Sequence, residues 1–484
     1  MSKQNIQKHE CQVIRDVFDR AGDMKKVMVV GIDPAEKEHK AVVCNGCGDL
    51  LCKPFSVVND QTGLGYLDGR LQGLCRKHGV DRTNVVVGIE NPGPWGENFA
   101  DHLMQRWDNV IDMDPRMAKR FRENQTSDND RLAAESVCRC LIQKQGRERE
   151  SDDEYTELLM MVRHYQKLTV KRTGVSNRIH AAADILFPGI LASDATDITP
   201  LGNASLDILD QLAIHKVKRM SIKQLTQWLK RRQVLKAGRQ AEKLKALAAR
   251  TIPPSQQKEC INRLIMQDLV AQYRLLSEQL ERGIRKMAEL LRQTPHWLLT
   301  TIDGVGVSTA AQMTAELFAR SRHADADSKV NYAGLTSRTH QTGGDNNPQE
   351  SRGRPFSFNH RAKRIVLMAA ENIAQHDKTD LAEYFEVRDA AGKNAKYALG
   401  RKLIRFATKL RDAPEAYLPE VYRDGHIGEN MRGHYYQDLL KKLERKWGGL
   451  IHHAPPADED KFAIWLKTTT SLYGLDNSLC ADNR

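Results

Sequence analysis

Three acidic residues, placed in order along the first 130 positions, constrain this chain more than any other feature. Asp33 ends the apolar run Val27-Met28-Val29-Val30-Gly31-Ile32. Glu90 ends a second, Val85-Val86-Val87-Gly88-Ile89, and Asp130 opens the helix-like stretch Asp130-Arg131-Leu132-Ala133-Ala134-Glu135-Ser136-Val137. A strand buried on both faces reads as an unbroken apolar run, so an acid at its end stands at the sheet edge beside a crevice. Carboxylate oxygens there can hold Mg²⁺ and leave positions open for phosphate and water. One such acid is most often merely solvated. Two in the same setting, with a third behind them, point to a phosphate-cutting site.

A chain of 484 residues is long enough for two or three domains and a large core. Lys and Arg total 74 against 62 Asp and Glu, a net charge of +12 and a pI near 9.2, which favours a polyanionic partner, nucleic acid before an anionic membrane. No apolar stretch approaches the ~18–20 residues that span a bilayer, and the N-terminus lacks a secretory core. The expectation is a soluble, intracellular protein without a membrane partner. Nine cysteines, an odd number in a long chain, argue against a secreted disulfide framework and for free thiols. Cys44-Asn45-Gly46-Cys47 with Cys52 has part of a zinc spacing, but Asn-Gly is also the favoured hairpin turn and no second ligand pair follows. The hairpin is the better reading.

From 25 to about 145, strand, hairpin, helix, strand, helix and strand signals alternate, as in an α/β sheet domain. Pro92 and Pro94, with Gly93 and Gly96, predict a tight loop after Glu90 that exposes the carboxylate before a helix from Asn98 to Trp107. From 150 to 295 the chain turns helical and basic, with Lys167, Lys171, Arg172 and Arg178 in one segment and a second run of cations from Lys230 to Arg250. Leu269, Tyr273, Leu276, Leu280, Ile284, Met287 and Leu291 recur at steps of three and four. That seam packs on another helix, either within the chain or as a self-associating coiled coil. Pro253-Pro254 marks the boundary before it. The domain limits that follow are an N-terminal extension at 1–24, the α/β domain at 25–150, the basic helical region at 151–295, a further domain at 296–375, and a basic extension at 376–484.

After the seam, Ile302-Asp303-Gly304-Val305-Gly306-Val307-Ser308-Thr309-Ala310 places a Gly-x-Gly turn before a helix. In helix-hairpin-helix modules such a turn aims backbone N–H groups at a phosphate. Tyr332-Ala333-Gly334-Leu335, Gln341-Thr342-Gly343-Gly344 and Arg352-Gly353-Arg354-Pro355-Phe356-Ser357 follow, and their glycine, arginine and hydroxyl residues suit a phosphate-facing loop.

Taken in order, these segments resemble the insertion-sequence-110-type transposases, also called DEDD transposases or bridge-RNA-guided recombinases, over most of residues 25 to 375. Gly31-Ile32-Asp33 resembles the family's first acidic motif and Gly88-Ile89-Glu90-Asn91-Pro92-Gly93 its second. Asp114-Pro115-Arg116-Met117-Ala118-Lys119-Arg120-Phe121 resembles the segment before the last acids, and the Gly304 turn with Tyr332-Ala333-Gly334-Leu335 resembles the C-terminal transposase domain. The resemblance implies a RuvC-like (RNase H-like) α/β nuclease domain, a helical coiled-coil linker and a mostly α C-terminal domain with a helix-hairpin-helix-like turn and a nucleophilic serine. It also implies Mg²⁺ or Mn²⁺, donor and target DNA, a guide RNA, a dimer or tetramer of the chain, and a place in the prokaryotic cytoplasm, associated with the nucleoid. Contacts to nucleic acid would come from Arg116, Lys119, Arg120, Lys171, Arg172, Arg178, Gly304, Gly306, Arg352 and Arg354.

The chain departs from the family at two places. The last motif is Asp-x-x-Asp-Ala, and the best match, Asp130-Arg131-Leu132-Ala133-Ala134, has alanine at the fourth metal-ligand position, Ala133. In another register Asp130 is the last acid and Ser127 replaces the missing one, while Asp128 could serve in either. The chain is then either a disabled version, natural or engineered, or one that recruits Asp128. The serine is expected in a Gly-x-Ile-Ser-Lys-like segment, for which Ser357 is the nearest counterpart and Ser351 and Thr342 are fallbacks. Ser357 could equally cap the helix that follows. Serine needs a base, a metal or a placed cation to attack a phosphodiester.

Beyond 375, the basic segment Lys393 to Arg411, and Tyr435-Tyr436 with Lys441, Lys442, Arg445 and Lys446, combine rings and cations in a way that suits unpaired RNA bases, although solvated helix faces read the same. Two alternatives stay open: a non-catalytic nucleic-acid scaffold, and a RuvC-like endonuclease that uses water.

Overall fold

A computed structural model describes residues 10–90, 93–122, 130–149, 154–192, 197–319, 325–336, 358–376, 380–414, 417, 438–439 and 441–448, and the backbone alone at 338–342 and 349–353. The chain divides into two compact units, Met1–Ser151 and Asp152–Arg484. The first carries, in order, α1 (Gln12–Ala21), β1 (Met28–Asp33), β2 (Glu38–Asn45), β3 (Phe55–Val58), α2 (Gln61–His78), β4 (Val85–Glu90), α3 (Gly93–Met104), β5 (Val110–Met113), α4 (Pro115–Arg120), α5 (Asp130–Ile142) and β6 (Arg147–Glu148).

The strands form one sheet in the order β3-β2-β1-β4-β5-β6. β1, β4 and β5 run parallel, and β2, β3 and β6 pair antiparallel to their neighbours. The two apolar runs become the central parallel strands because each has side chains to bury on both faces. Met28, Val30, Ile32, Val85, Val87 and Ile89 pack into one layer with α2 and α3, while Val27, Val29 and Val86 pack into the other with α1 and α5. Helices on both sides of this mixed sheet fit an RNase H-like α/β domain. Ile14 and Val17 of α1 are buried in its second layer, so residues before position 25 contribute to the core.

The Asn45-Gly46 turn forms as expected. Asn45 Oδ1 accepts from the backbone N–H groups of Cys47 and Asp49, and Cys44 bridges Leu50. One expectation is corrected. The chain is already helical at Gly93, with Pro94 in the first turn of α3, where its missing N–H costs nothing and its fixed φ suits the helix. Arg149, nearly enclosed, ties this edge together by donating to Asp112 (2.8 Å) and Asp101 (2.6 Å), with Glu97 at 3.0 Å.

Among its described residues, the second unit is helical apart from one two-stranded ribbon. It contains α6 (Glu154–Leu186), α7 (Asn203–Gln211), α8 (Ile214–Arg219), α9 (Ile222–Lys230), α10 (Ala237–Arg250), α11 (Gln256–Leu291), α12 (Val307–Phe318), α13 (Ala326–Tyr332), β7 (Arg338–Thr342), β8 (Gln349–Gly353), α14 (His360–His376), α15 (Asp380–Ala390) and α16 (Ala395–Asp412). The leucine seam is buried inside the chain. α11 packs along α6, and Gly283 lets the two backbones close in over Met161 and Tyr165. One end of this pair shares a core with α7 to α10, and the other joins a core built around α12, whose side chains are buried along almost the whole helix.

His296 lies in that second core against Phe318, its Nε2 on the Ala407 carbonyl oxygen (3.1 Å) and its Nδ1 facing the Tyr155 hydroxyl (3.3 Å). Burial pushes its pKa down to about 3, with the Ala407 bond opposing the shift. The fold therefore holds neutral imidazole, whereas the unfolded chain takes up a proton below about 6.5, so stability falls as pH drops from 7 towards 3. At pH 5 this residue alone is expected to cost ~2 kcal/mol. Thermal melts between pH 5 and 7 should show the slope, and His296→Gln, which keeps a donor for Ala407, should flatten it; an equal slope in both proteins would remove His296 as the cause.

Candidate active site and nucleic-acid contacts

Asp33 and Glu90 end adjacent parallel strands in the same register. Ile32 pairs with Ile89, which places the two acids one step further along, side by side about 4.8 Å apart at the backbone. Side chains alternate along a strand, so each acid faces the same side as the glycine two residues before it, Gly31 or Gly88. That is the side covered by α5. A Cβ on Gly31 would run into the backbone oxygen of Ala134 and lie 2.8 Å from Cys138 Sγ, and one on Gly88 would lie 2.7 Å from Leu141 Cδ1. The two glycines therefore bring α5 down onto the strands directly below the acids.

Both acids are half-buried. The Arg122 guanidinium approaches Glu90 at 3.6 Å, just past α4. Burial first, and then the Glu90 charge, push the Cys140 thiol up to about 11, so Cys140 stays protonated beneath the site. Ala133 stands one turn before Val137 and two before Cys140 on α5, and is only 3% exposed. Asp130 opens α5 and is exposed. Among the described residues no three of His, Cys, Asp and Glu lie close enough to hold a metal ion. Asp130 is not gathered with Asp33 and Glu90 into such a group. Asp128 lies outside the described residues.

Arg116, Lys119 and Arg120 are exposed at steps of three and four on α4, and so share one face of it. Asp114 caps that helix by accepting from the Arg116 N–H (2.9 Å), and Pro115 takes the first position. On α6, Lys167, Lys171 and Arg178 are exposed at steps of four and seven, while Arg172 lies over the Tyr273 ring at 5.9 Å.

In the second unit Gly304 has φ +86, and its α-carbon abuts the backbone of Asn372 and Ile373 in α14, so no side chain fits there. Gly306 caps α12 and has open space where a Cβ would point. The turn between them is held by residues 442–447. Lys446 Nζ donates to the carbonyl oxygens of Thr300 (2.7 Å), Ile302 (2.9 Å) and Val305 (3.1 Å), and Lys442 pairs with Asp303 (2.6 Å). Trp447 Nε1 donates to Thr300 Oγ1 at 3.1 Å. Two of the cations expected to face RNA are thus turned inward, while Lys441 and Arg445 remain exposed.

Gln341 and Thr342, and Ser351 to Gly353, form the antiparallel ribbon β7–β8 rather than a loop. Ser357 and Arg354 lie outside the described residues, as do the side chains of Thr342, Ser351 and Arg352. Asn359 caps α14, its Oδ1 accepting from the N–H groups of Arg361 (2.9 Å) and Ala362 (3.1 Å). Asn359 Nδ2 donates to buried Glu316 (3.0 Å) and to the Tyr332 hydroxyl (2.6 Å), and Phe358 packs on Gly334. The Tyr332-Ala333-Gly334-Leu335 segment thus anchors the start of α14.

Two family models match the chain. One, a DEDD transposase model of the IS110 type described as Transposase, covers residues 30–188. The other, Transposase IS116/IS110/IS902 family, covers residues 296–386. The chain carries both transposase domains of the IS110 family. It is an enzyme of the transposase class, and its substrate is DNA. The first match takes in Asp33, Glu90 and α5, and the second takes in the Gly304 turn, the β7–β8 ribbon and α14. No curated protein matches the chain. Among the described residues no helix of the transposase is long and apolar enough to cross a membrane.

Sequence reasoning missed Arg122, Asn359 and the role of the two glycines. The glycines had a signal in the shared pattern Val-Val-Gly-Ile-acid at 29–33 and 86–90. Arg122 and Asn359 had none, because each acts through a partner distant in the chain.

Proposed function

We propose that this transposase cuts and rejoins DNA through a serine–DNA intermediate, with Ser357 as nucleophile and Asp33, Glu90 and Asp130 as the acidic residues of the site. The observation that carries the reading is the placement of Asp33 and Glu90 side by side on the α5 face of adjacent parallel strands, within a matched transposase domain. They are the residues that would hold Mg²⁺ or Mn²⁺, which when bound supplies Lewis-acid stabilisation to phosphodiester oxygens. Ala133 takes the place of a fourth carboxylate, and Asp128, five positions earlier, is the acid that could replace it.

A covalent serine ester keeps the phosphodiester energy available for rejoining: the serine oxygen forms the new P–O bond, and the displaced 3′ or 5′ oxygen leaves with a proton. Arg116, Lys119 and Arg120 on α4, and Lys171, Arg172 and Arg178 on α6, contact nucleic-acid phosphates, as do Arg352 and Arg354 and the Gly304–Gly306 turn. A structured guide RNA and assembly into a dimer or tetramer complete the reading, with the cytoplasm and nucleoid as its setting. Ser357→Ala is expected to abolish the covalent protein–DNA adduct on denaturing gels while DNA affinity is unchanged. An adduct that persists would rule Ser357 out and move the search to Ser351 and Thr342.

A further inference from the structure

We propose that the helices between residues 197 and 251 form a duplex-DNA docking surface. This segment lies between the two matched transposase domains. It has its own core, in which Leu209, Leu225, Leu229, Leu244 and Leu247 pack against α6 and α11. Twelve Lys and Arg face four Asp and Glu along it, a bias far steeper than that of the whole chain.

Two of the four acids there are spent internally. Asp207 pairs with Arg232 (2.9 Å) and Arg274, and Asp197 pairs with Lys243 (2.6 Å) and Arg239 (3.4 Å). Lys245 is also turned inward, donating to the last carbonyls of α8, which include that of Val217 (3.2 Å). Lys216, Arg219, Lys223, Lys230, Arg231 and Arg250 remain exposed, and none has an ion-pair partner among the described residues. Lys216 and Arg219 are three apart on α8, and Lys223 and Lys230 seven apart on α9, so each pair shares a helix face. A surface of one sign attracts the opposite charge from a distance and fits a polyanion.

Duplex DNA is the polyanion that the transposase reaction requires, and on that reading this assignment rests. Single-stranded nucleic acid is usually held by stacking on open rings. Trp228 is the only Phe, Tyr or Trp between 197 and 251, and the Arg232 guanidinium covers its ring at 3.5 Å. What remains is a set of point charges suited to phosphates, without base readout.

The test compares the full chain with the quadruple variant K216Q/R219Q/K223Q/K230Q for binding to a duplex of arbitrary sequence, titrated across salt concentration. Each lost phosphate contact flattens the log–log salt slope by ~0.9, so for four contacts a drop of about 3.6 and a loss of affinity of at least about tenfold are expected. The melting temperature should stay unchanged because the four side chains are exposed, and R219K should keep the wild-type slope because charge suffices. A quadruple variant with an unaltered slope overturns the surface. A loss confined to single-stranded RNA overturns the choice of DNA. A wild-type chain that ignores duplex DNA altogether would sink the transposase reading itself, and this surface with it.

Discussion

Glu90→Gln is expected to reduce DNA strand exchange by more than ~10²-fold, since substitutions that only support such a group already cost 10–100-fold. Glutamine keeps the shape of the side chain and one oxygen, but removes the charge that draws either a cation or the Arg122 guanidinium. DNA affinity should hardly change, because the substitution removes no cation. Ala133→Asp tests the same site from the other side. A carboxylate at a position only 3% exposed is costly to bury unpaired, so the variant should melt lower than wild type in chelator. Added Mn²⁺ should then raise its melting temperature selectively, since ligand at a hundred times its dissociation constant is worth about 2.7 kcal/mol. If this is the missing position, strand exchange rises as well. Wild-type exchange rates in Glu90→Gln would take Glu90 out of the chemistry, and indifference of Ala133→Asp to Mn²⁺ would assign the fourth position elsewhere.

Gly31→Ala is expected to be among the most damaging single changes in the first unit. The added methyl meets the backbone oxygen of Ala134 and lies 3.0 Å from the Cys138 backbone nitrogen, so neither a rotamer change nor a flexible tip can relieve it. α5 must lift off the sheet or β1 must bend. Overpacking typically costs 1–3 kcal/mol, and a clash with backbone should reach the upper end, about 3 kcal/mol. Gly69→Ala in the middle of α2 provides the control, because nothing lies within 4 Å of its would-be Cβ. There alanine should stabilise by roughly 0.5–1 kcal/mol through helix propensity. Urea titration of both proteins, followed at the transition of the first unit, would decide the matter. Equal stabilities would mean that α5 does not depend on that close approach.

The sheet was legible because its central strands carry their burial in plain view. Val27 to Ile32 and Val85 to Ile89 are apolar without interruption, and an acid after each marks a strand end whatever the tertiary structure. The Asn45-Gly46 turn was legible for a similar reason, its geometry being set within a few residues. The start of α3 was not, because Pro94 can break a chain or open a helix, and the sequence alone does not distinguish a first-turn proline from a loop proline. The leucine seam announced a partner helix without naming it, since α6 lies about a hundred positions earlier. Lys442 and Lys446 misled for the opposite reason: a lysine with water on all sides and one holding backbone carbonyls are written with the same letter. The Asn359 cap follows the same logic, since serine and asparagine both cap helices and the partners that hold Asn359, Glu316 and Tyr332, lie elsewhere in the chain.

Those three carbonyls on Lys446 also redraw a border. The second transposase match stops at residue 386, yet the peptide oxygens of Thr300, Ile302 and Val305 are satisfied by a side chain sixty positions further on. A shortened chain ending where the match ends would hand those oxygens to solvent and leave Asp303 without the ammonium of Lys442. The physical module is therefore larger than the homologous one, and Lys442 and Lys446, well beyond the match, help to fasten it.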